Sequence, residues 1–400
     1  MTNRTSQKNR KTEGRGAHSM DAVSPKTLLI TGGAGFIGTN FIRHVLSVKP
    51  GWRIVNLDAL TYAGNLANFA DLPTDQAKRH EFIRGDIRDT ILLRRIFLEK
   101  GLDAIIHFAA ASHVDRSIVE PETFLDTNVV GTFRLLETSL RYWETAGRPD
   151  EFRFLHVSTD EVYGSLGPEG CFTEKSPYDP SSPYSASKAA SDHFVKAYFR
   201  TFGLPTLITN CSNNFGPYQF PEKLIPLMIL QIVEQKPLPI YGDGKNTRDW
   251  LYVADHCEAL LKVLEDGVPG ETYNIGGGAE RQNLEIVGLL CEILDSRLGR
   301  TGCKASRQLI RFVADRPGHD RRYAIDSDKI RANLGWTPRH RLEGALEATV
   351  DWYLSHMEWI ASVRSGEYRK WIDVNYGFRM ARNGERSPAI PADFNEGGNP

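Results

Sequence analysis

Four short segments of this 400-residue chain contain residue types that could do chemistry. They are a glycine-rich turn at Thr31–Gly38, an acid pair at Asp160 and Glu161, a Tyr184-x-x-x-Lys188 spacing, and an arginine-rich segment at Asp315–Arg322. The turn favours a dinucleotide, and the Tyr–Lys pair offers a base able to take a hydroxyl proton during hydride transfer. Simple oxidation needs no further acid and base, so the acid pair favours an elimination.

Tyr184 and Lys188 stand four residues apart in a segment of helical pattern, so they share one face of the predicted helix. A nearby ammonium favours the phenolate, which predicts Tyr184 as a base near neutral pH. A Tyr and a Lys at this spacing are most often a solvated pair. Their place beyond a dinucleotide fingerprint favours the catalytic interpretation.

The acid pair directly follows Thr159 at the end of a predicted strand. Neighbours in a regular strand point to opposite faces, so both carboxyl groups reach one cleft only if the strand has already ended. Two carboxyl groups in one site can acquire different pKa values, which leaves one protonated as an acid and the other ionised as a base. An exposed acidic loop is the alternative.

The glycine-rich turn follows a predicted strand and opens a predicted helix, and its cofactor candidates are Gly32, Gly35, Phe36, Ile37 and Gly38. The first glycines allow a tight turn and close approach of the backbone to a pyrophosphate, and the last lets helix and strand pack. The helix N-terminus would present unpaired N–H groups to the phosphates. A tight strand-to-helix turn without a ligand is the alternative.

Later residues sharpen the cofactor prediction. Asp58 ends the second predicted strand, 20 positions beyond the last glycine, where a carboxylate would bind the adenosine ribose and repel a 2′-phosphate. NAD is therefore favoured over NADP. Asp86 and Ile87 follow the third strand on the predicted adenine side, and the small Ala109 and Ala110 follow the fourth. The alternative for Asp86 is an exposed loop, and the alternative for the alanines is plain close packing.

Apolar runs of strand length alternate with helix-period segments through the first two thirds of the chain. This pattern predicts an α/β fold with a right-handed, doubly wound parallel sheet of Rossmann type. The predicted strands are Thr27–Thr31, Arg53–Asp58, Glu81–Arg84, Ala104–Phe108, Phe152–Ser158 and Thr206–Asn210. The predicted helices lie near 36–48, 89–99, 122–143, 183–202, 221–235, 254–265, 283–297 and 342–360.

The domain organisation follows from the same pattern, which loosens into Pro-rich and Gly-rich connections after about residue 213. We expect an NAD-binding domain over 25–212, with parts of 240–260 returning to it, and a smaller mixed α/β substrate-binding lobe over 213–360. Residues 1–24 and 380–400 are expected to be disordered. The cleft between the lobes would be the active site.

Composition argues against several classes of protein. A formal net charge of -1 and 40% hydrophobic residues fit a globular protein, with no sign of nucleic acid or a membrane as partner. The first two dozen residues lack the apolar stretch of a secretory signal or a membrane span. Five cysteines without C-x-x-C spacing favour neither disulfides nor a metal site, so the cytoplasm is the expected compartment.

Seven motifs together carry a family resemblance. They are TGGAGFIG (31–38), HFAAASHVDRSI (107–118), VSTDEVYG (157–164), YSASKA (184–189), NNFGPYQFPEKLIP (213–226), DGKNTRDWLYVADH (243–256) and DRPGHDRRYAID (315–326). In this order they resemble the extended short-chain dehydrogenase/reductases and, among these, the dTDP-glucose 4,6-dehydratase family. The resemblance covers about residues 26 to 355, and related nucleotide-sugar epimerases usually lack the Asp-Glu pair.

The resemblance implies dehydration of dTDP-glucose to dTDP-4-keto-6-deoxyglucose with a tightly held NAD. Tyr184 would take the C4 hydroxyl proton while hydride passes to NAD+, with Lys188 beside it and Thr159 hydrogen-bonded to the same oxygen. Oxidation acidifies the C5 hydrogen, which Glu161 would abstract. Asp160 would protonate the departing C6 hydroxyl before the hydride returns to C6.

The resemblance also implies binding residues and a partner. Substrate contacts would be Ser112, Thr159, Asn213, Lys223, Leu224, Arg248, Asn283, Asp315, Arg316 and His319, and further cofactor neighbours would be Thr127 and Asn214. Arginine suits diphosphate oxygens, although a surface salt bridge is the common alternative for Arg248 or Arg316 alone. Relatives commonly form dimers, so helices near 122–143 and 183–202 are expected to build a homodimer.

Two departures and three alternatives qualify this assignment. The family usually has Glu at the position of Ala111 and often Lys at Ala59, and the change at Ala111 could alter affinity or sugar preference. A UDP-glucose 4,6-dehydratase would need the same acid–base set. A sugar-nucleotide 4-epimerase would use Tyr184 and Lys188 and leave the acid pair idle, and a non-catalytic NAD sensor would be expected to lack the Tyr or the Lys.

Overall fold

The computed structural model describes residues 26–302 and 305–364. The two extensions expected to be disordered, 1–24 and 380–400, lie outside these residues. The strands are β1 (Thr27–Thr31), β2 (Arg53–Asp58), β3 (His80–Arg84), β4 (Ala104–His107), β5 (Arg153–Thr159), β6 (Thr206–Cys211), β7 (Asn213–Phe215), β8 (Leu238–Tyr241), β9 (Thr247–Tyr252), β10 (Thr272–Ile275), β11 (Glu280–Gln282) and β12 (Ile310–Val313).

The α-helices connect and cover these strands. They are α1 (Phe36–Val48), α2 (Thr74–Ala77), α3 (Thr90–Lys100), α4 (Val114–Val119), α5 (Pro121–Phe124), α6 (Thr132–Thr145), α7 (Pro183–Phe202), α8 (Leu224–Val233), α9 (Val253–Asp266), α10 (Asn283–Leu298), α11 (Asp328–Leu334), α12 (Leu342–Ser355) and α13 (Met357–Val363). Where the sequence predicts one helix over 342–360, the structure has two, with a break at His356.

The main sheet has seven strands in the order β3-β2-β1-β4-β5-β6-β10, and every pairing in it is parallel. The doubly wound fold is therefore confirmed. The strand order reverses between β1 and β4, where open α/β sheets bind their ligands. The pattern of the sequence did not predict β10, a strand of only four residues that pairs with β6.

Helices cover both faces of this sheet, which explains why its strands are near-continuous apolar runs. Leu28, Leu29 and Ile30 of β1 are all fully buried. One face packs against α1, α9 and α11, and the other packs against α3, α6 and α7. The sheet is therefore a rigid base for any residue at the carboxyl end of a strand.

The segment predicted as one helix over 122–143 is divided. A π-helix over Leu125–Gly131 separates α5 from α6, and a Cβ added at Gly131 would lie 2.5 Å from Ile87 Cδ1. Widened turns of this kind occur frequently at functional sites. Here Asp126 and Thr127 within the π-helix line the main cleft.

The predicted bounds of α7 are confirmed, because the sequence signals act locally. Ser182 forms a capping box with Ser185, Pro183 occupies the first turn, and Gly203 ends the helix at φ 75°. This helix carries Tyr184 and Lys188 and packs against β5 and β6.

A smaller mixed α/β lobe contains the three-stranded sheet β7-β9-β11, the pair β8-β12 and the helices α8, α10, α12 and α13. Its apolar core includes Ile229, Leu290 and Leu346, which are all fully buried. Between these elements the chain returns to the main sheet with α9, β10 and α11. No helix within the described ranges is long and apolar enough to cross a bilayer.

Candidate active site

A cleft of about 580 Å³ lies at the carboxyl ends of the main-sheet strands. Its walls contain all of the predicted cofactor and catalytic residues, namely Gly32, Gly35, Phe36, Ile37, Gly38, Asp58, Asp86, Ile87, Ala109, Ala110, Thr127, Thr159, Asp160, Glu161, Tyr184, Lys188 and Asn214. These residues come from segments widely separated in the chain. The fold therefore brings the predicted dinucleotide and acid–base residues to one surface.

Three of the four glycines of the turn, Gly32, Gly35 and Gly38, meet different surroundings. Gly32 has φ +73°, and a Cβ there would lie 2.5 Å from Ala109 N. A Cβ at Gly38 would lie 2.5 Å from Gly32 O, so this glycine allows helix α1 to pack on the turn. A Cβ at Gly35 would meet only Gly32 O, at 3.3 Å, and Gly35 lines the cleft. Gly35 thus leaves room for a ligand beside the start of α1, as a dinucleotide pyrophosphate requires.

Two acidic residues stand at the predicted adenosine end. Asp58 accepts backbone hydrogen bonds from Ala34 N (2.9 Å) and Leu60 N (2.8 Å), which tie the turn to the loop after β2. Burial raises the pKa of the Asp58 carboxyl, although both hydrogen bonds oppose the rise. At Asp86, burial acts to raise the pKa, but hydrogen bonds from Arg88 at 2.7–3.1 Å hold it below its usual value. Carboxyl groups at these two positions are acceptors that fit the hydroxyl and amino groups of an adenosine.

Strand β5 ends before the acid pair, which is the condition for both carboxyl groups to reach one cleft. Strand β5 ends at Thr159, and Asp160 begins a 3₁₀ turn that runs to Tyr163. Thr159 caps this turn, because its Oγ1 accepts from the backbone N–H of Glu161 at 3.3 Å. The alternation of a strand is therefore broken, and both carboxyl groups line the same cleft. An exposed acidic loop is excluded.

The environments of the two carboxyl groups differ in the way an acid and a base require. Asp160 is 2% exposed, and burial, reinforced by the charges of Glu161 and Asp249, raises its pKa well above the usual value. Burial also raises the pKa of Glu161, but the cations Arg316, Lys223 and Arg248 act in the opposite direction. Asp160 is thus the group held protonated, and Glu161 is the group more readily ionised.

Tyr184 is buried and hydrogen-bonds to Thr159. Burial, followed by the charge of Glu161, raises the pKa of its phenol well above the usual value. Lys188 Nζ donates to Val157 O at 3.0 Å and lies 3.3 Å from His156 Nε2. Desolvation of the phenol dominates among the polypeptide's own groups, and the role of Tyr184 as a base assisted by Lys188 stays a prediction.

The predicted substrate residues divide into two groups. Ser112, Thr159, Asn213 and Lys223 line the cleft, whereas Leu224, Arg248, Asn283, Asp315, Arg316 and His319 do not belong to its walls. Leu224 and Asn283 are the first residues of α8 and α10.

The two arginines are not surface salt bridges. Arg248 is 4% exposed, donates to the backbone oxygens of Thr247 (2.8 Å) and Asp320 (2.9 Å), and lies over the ring of Tyr323. Arg316 pairs with the buried Asp115 at 3.4 Å. Both arginines act on the pKa of Glu161, so they supply positive charge to the cleft.

The segment Asp315–His319 closes on itself, since His319 Nδ1 lies 2.6 Å from Asp315 Oδ1. Burial lowers the pKa of His319, although Asp315 opposes this. The pair thereby fixes the loop that carries Arg316.

Sequence reasoning missed Glu222, whose carboxylate lines the cleft. Its side chain is 2% exposed and pairs with Arg116 at 3.3 Å, and Arg116 lies over the ring of Tyr62 at 4.0 Å. The neighbouring Lys223 donates to Ser112 O at 3.1 Å. A charged pair inside the apolar run FPEKLIP was the signal that could have identified it.

The two departures from the family pattern lie in different places. Ala111 exchanges two hydrogen bonds with the Asn128 side chain, at 2.8 and 3.0 Å, and packs against the cluster of Val114, Phe124 and Tyr184. Ala59 lines the cleft. Among residues 26–302 and 305–364, no group of His, Cys, Asp and Glu side chains could hold a metal ion.

A doubly wound sheet, a glycine-rich turn and a helical Tyr–Lys pair facing one cleft define the class of extended short-chain dehydrogenase/reductases. The family model described as GDP-mannose 4,6 dehydratase matches residues 29–349. A dTDP-glucose 4,6-dehydratase of Xanthomonas campestris pv. campestris is 56% identical over 345 residues, which are 86% of this chain and 97% of that protein. The chain belongs to the dTDP-glucose 4,6-dehydratase family.

Solved structures agree with this assignment. The dTDP-glucose 4,6-dehydratase of Streptomyces venezuelae, solved with NAD bound, is 48% identical with a TM-score of 0.75, and the match covers 83% of this chain and 98% of that one. A UDP-glucose 4-epimerase of Thermotoga maritima is similar at 27% identity and a TM-score of 0.72, over 83% of this chain and 99% of that one.

Proposed function

We propose that this protein converts dTDP-glucose to dTDP-4-keto-6-deoxyglucose and water, with NAD as a cofactor that is not consumed. The observation that carries the proposal is the convergence of Asp160 and Glu161, in unlike environments, on the cleft that contains Tyr184 and Lys188. The 56% identical relative from Xanthomonas campestris pv. campestris is named dTDP-glucose 4,6-dehydratase, which is the name of this reaction. An epimerase on this fold would have no task for the two carboxyl groups.

The residues of the cleft fit the pyrophosphate and the adenosine of NAD. The space in front of Gly35 would hold the pyrophosphate, and Asp58 and Asp86 would face the adenosine. When bound, NAD+ takes a hydride from C4 of the sugar and later returns it to C6. The positive charge of the oxidised nicotinamide also opposes the burial effect on Tyr184, because a cation beside a phenol favours the phenolate.

Tyr184 takes the proton of the C4 hydroxyl as C4 is oxidised. Thr159, to which Tyr184 hydrogen-bonds, positions the same sugar oxygen, and the ammonium of Lys188, four residues further along α7, favours the phenolate. A tyrosine that remained protonated could not accept this proton. The rate of the first step therefore depends on the positive charges near Tyr184, which favour its phenolate.

Glu161 then removes the C5 proton, which the new ketone at C4 has made acidic. Asp160 donates its proton to the departing C6 hydroxyl, and water leaves. Glu161 returns its proton to C5 as C6 is reduced. The raised pKa of Asp160 serves this step, because a carboxyl group deprotonated at neutral pH could not act as the acid.

One proton must move inside the site before the next turnover. Each cycle leaves the C4 hydroxyl proton on Tyr184 and removes a proton from Asp160. Thr159 hydrogen-bonds to Tyr184, and its Oγ1 lies 3.3 Å from Asp160 Oδ1. The Thr159 hydroxyl thus links the group with the surplus proton to the group that lacks one.

Product analysis tests the proposed function directly. With dTDP-glucose, the purified protein is expected to form a 4-keto-6-deoxy sugar nucleotide, detected by its absorbance in alkali, and to do so faster than with UDP-glucose. The same product formed faster from UDP-glucose would replace the nucleotide assignment. A 4-epimer without a keto product, or no reaction with either substrate, would contradict the proposal.

We further propose a homodimer that works in the cytoplasm. Apolar side chains are exposed on the π-helix and on α7, where Leu125 is 55%, Phe194 40% and Phe202 41% exposed. Burying such a surface against a second copy is favourable and supports the expected interface. Within the described residues, all four cysteines are free thiols, as a reducing compartment favours.

A further inference from the structure

Two ionisable side chains, His156 and Asp192, are buried beside Lys188. His156 and Asp192 are 0% exposed and Lys188 is 4% exposed. His156 Nε2 lies 3.3 Å from Lys188 Nζ and 3.2 Å from Asp192 Oδ1. Neither His156 nor Asp192 belongs to the walls of the cleft. The mechanism proposed above gives them no role.

Asp192 is held in place by two hydroxyl donors. Ser158 Oγ and Tyr178 Oη each donate to its Oδ2 at 2.9 Å. Burial raises the pKa of Asp192, and Lys188 together with these hydrogen bonds opposes the rise. A buried carboxyl group with two donors and a neighbouring ammonium has the surroundings of a carboxylate.

Lys188 needs a negative partner, because burial disfavours an ammonium. The groups that face it come from four elements: Asp192 on α7, His156 on β5, His107 on β4 and Cys211 on β6. Burial lowers the pKa values of both histidines well below the usual range, so they stay neutral. Burial likewise raises the pKa of the Cys211 thiol to about 12, so it stays protonated near neutral pH.

We propose that Asp192 is the counter-charge that keeps Lys188 an ammonium, and that His156 is the spacer that holds the two apart. A direct ion pair would draw the ammonium away from the cleft. With His156 Nε2 next to both groups, Lys188 Nζ keeps its bond to Val157 O and its place on the cleft wall. Asp192 and His156 are positioning residues that act through Lys188. Their effect on catalysis rests on the proposed function.

The variant Asp192→Asn tests the counter-charge through the first chemical step. Reduction of bound NAD+ by the sugar nucleotide precedes the step that needs Asp160. The rate of this reduction is therefore expected to fall at alkaline pH when Lys188 loses its charge, and we call the pH of this fall the alkaline limit. In Asp192→Asn this limit is expected to move to lower pH by about one pH unit or more. Ser158→Ala, which removes one hydrogen bond from Asp192 but no charge, should keep the wild-type limit. An unmoved limit in folded Asp192→Asn overturns the proposal.

A second measurement needs neither substrate nor a folded Asp192→Asn. Coupling between titrating groups is reciprocal, so removing the ammonium in Lys188→Met must raise the pKa of His156. Proton–carbon NMR of the His156 ring, assigned with His156→Gln, is expected to show its titration at higher pH in Lys188→Met than in wild type. An identical titration in both proteins refutes the buried charge coupling, whether or not the protein is a dehydratase.

Discussion

Replacing Glu161 with Gln is expected to stop water loss while the bound NAD+ is still reduced by the substrate. The amide of this variant cannot take the C5 proton, so formation of the keto sugar should fall by about 10²- to 10⁴-fold. Tyr184 and Lys188 remain in place, so oxidation at C4 proceeds and reduced cofactor accumulates. Stopped-flow absorbance of the reduced nicotinamide, together with the alkaline product assay, measures both quantities.

Glu169→Gln is the matched control for this variant. Glu169 is an exposed glutamate eight positions further along the chain, outside the walls of the cleft, and its replacement should leave both quantities unchanged. A Glu161→Gln variant that forms keto sugar at the wild-type rate would refute the role of Glu161. One that never reduces the cofactor would place Glu161 in the first step instead.

Replacing Tyr184 with Phe is expected to abolish the reaction earlier. Phe lacks the oxygen that takes the C4 hydroxyl proton, so both cofactor reduction and product formation should fall by about 10²- to 10⁴-fold. The two variants therefore differ in the amount of reduced cofactor, which accumulates with Glu161→Gln and is not formed with Tyr184→Phe. Rapid mixing with dTDP-glucose distinguishes them in one experiment.

Tyr142→Phe serves as the control for loss of a tyrosine hydroxyl. Tyr142 is half-buried on α6, and its hydroxyl donates to Leu102 O outside the cleft. Its replacement should leave the rate of cofactor reduction unchanged. Reduction of the cofactor at the wild-type rate in Tyr184→Phe would show that another group takes the C4 proton.

The sequence predicted those parts of the site that depend on local structure. The glycine turn, the capped start of α7 at Ser182 and the ends of β2 and β5 all follow from short-range signals, and they carry Gly35, Asp58, Asp160 and Tyr184 to the cleft. In parallel sheets such residues meet at one edge regardless of their separation along the chain.

Other features depend on packing that no short segment encodes. The raised pKa of Tyr184 comes from burial, which is a property of the whole fold, and the same is true of Glu222 and its pairing with Arg116. The π-helix within the predicted helix 122–143 was not predicted, because its sequence keeps the periodicity of an α-helix. Strand β10 joins the main sheet through its pairing with β6, which depends on the return of a distant segment of the chain to that sheet.

Conversion of dTDP-glucose labelled with deuterium at C4 tests most directly whether oxidation, elimination and reduction occur on one sugar in one cleft. The expected product carries that deuterium at C6, and a mixture of labelled and unlabelled substrate gives no exchange of label between molecules. Deuterium retained at C4, or released to solvent, would contradict the proposed reaction.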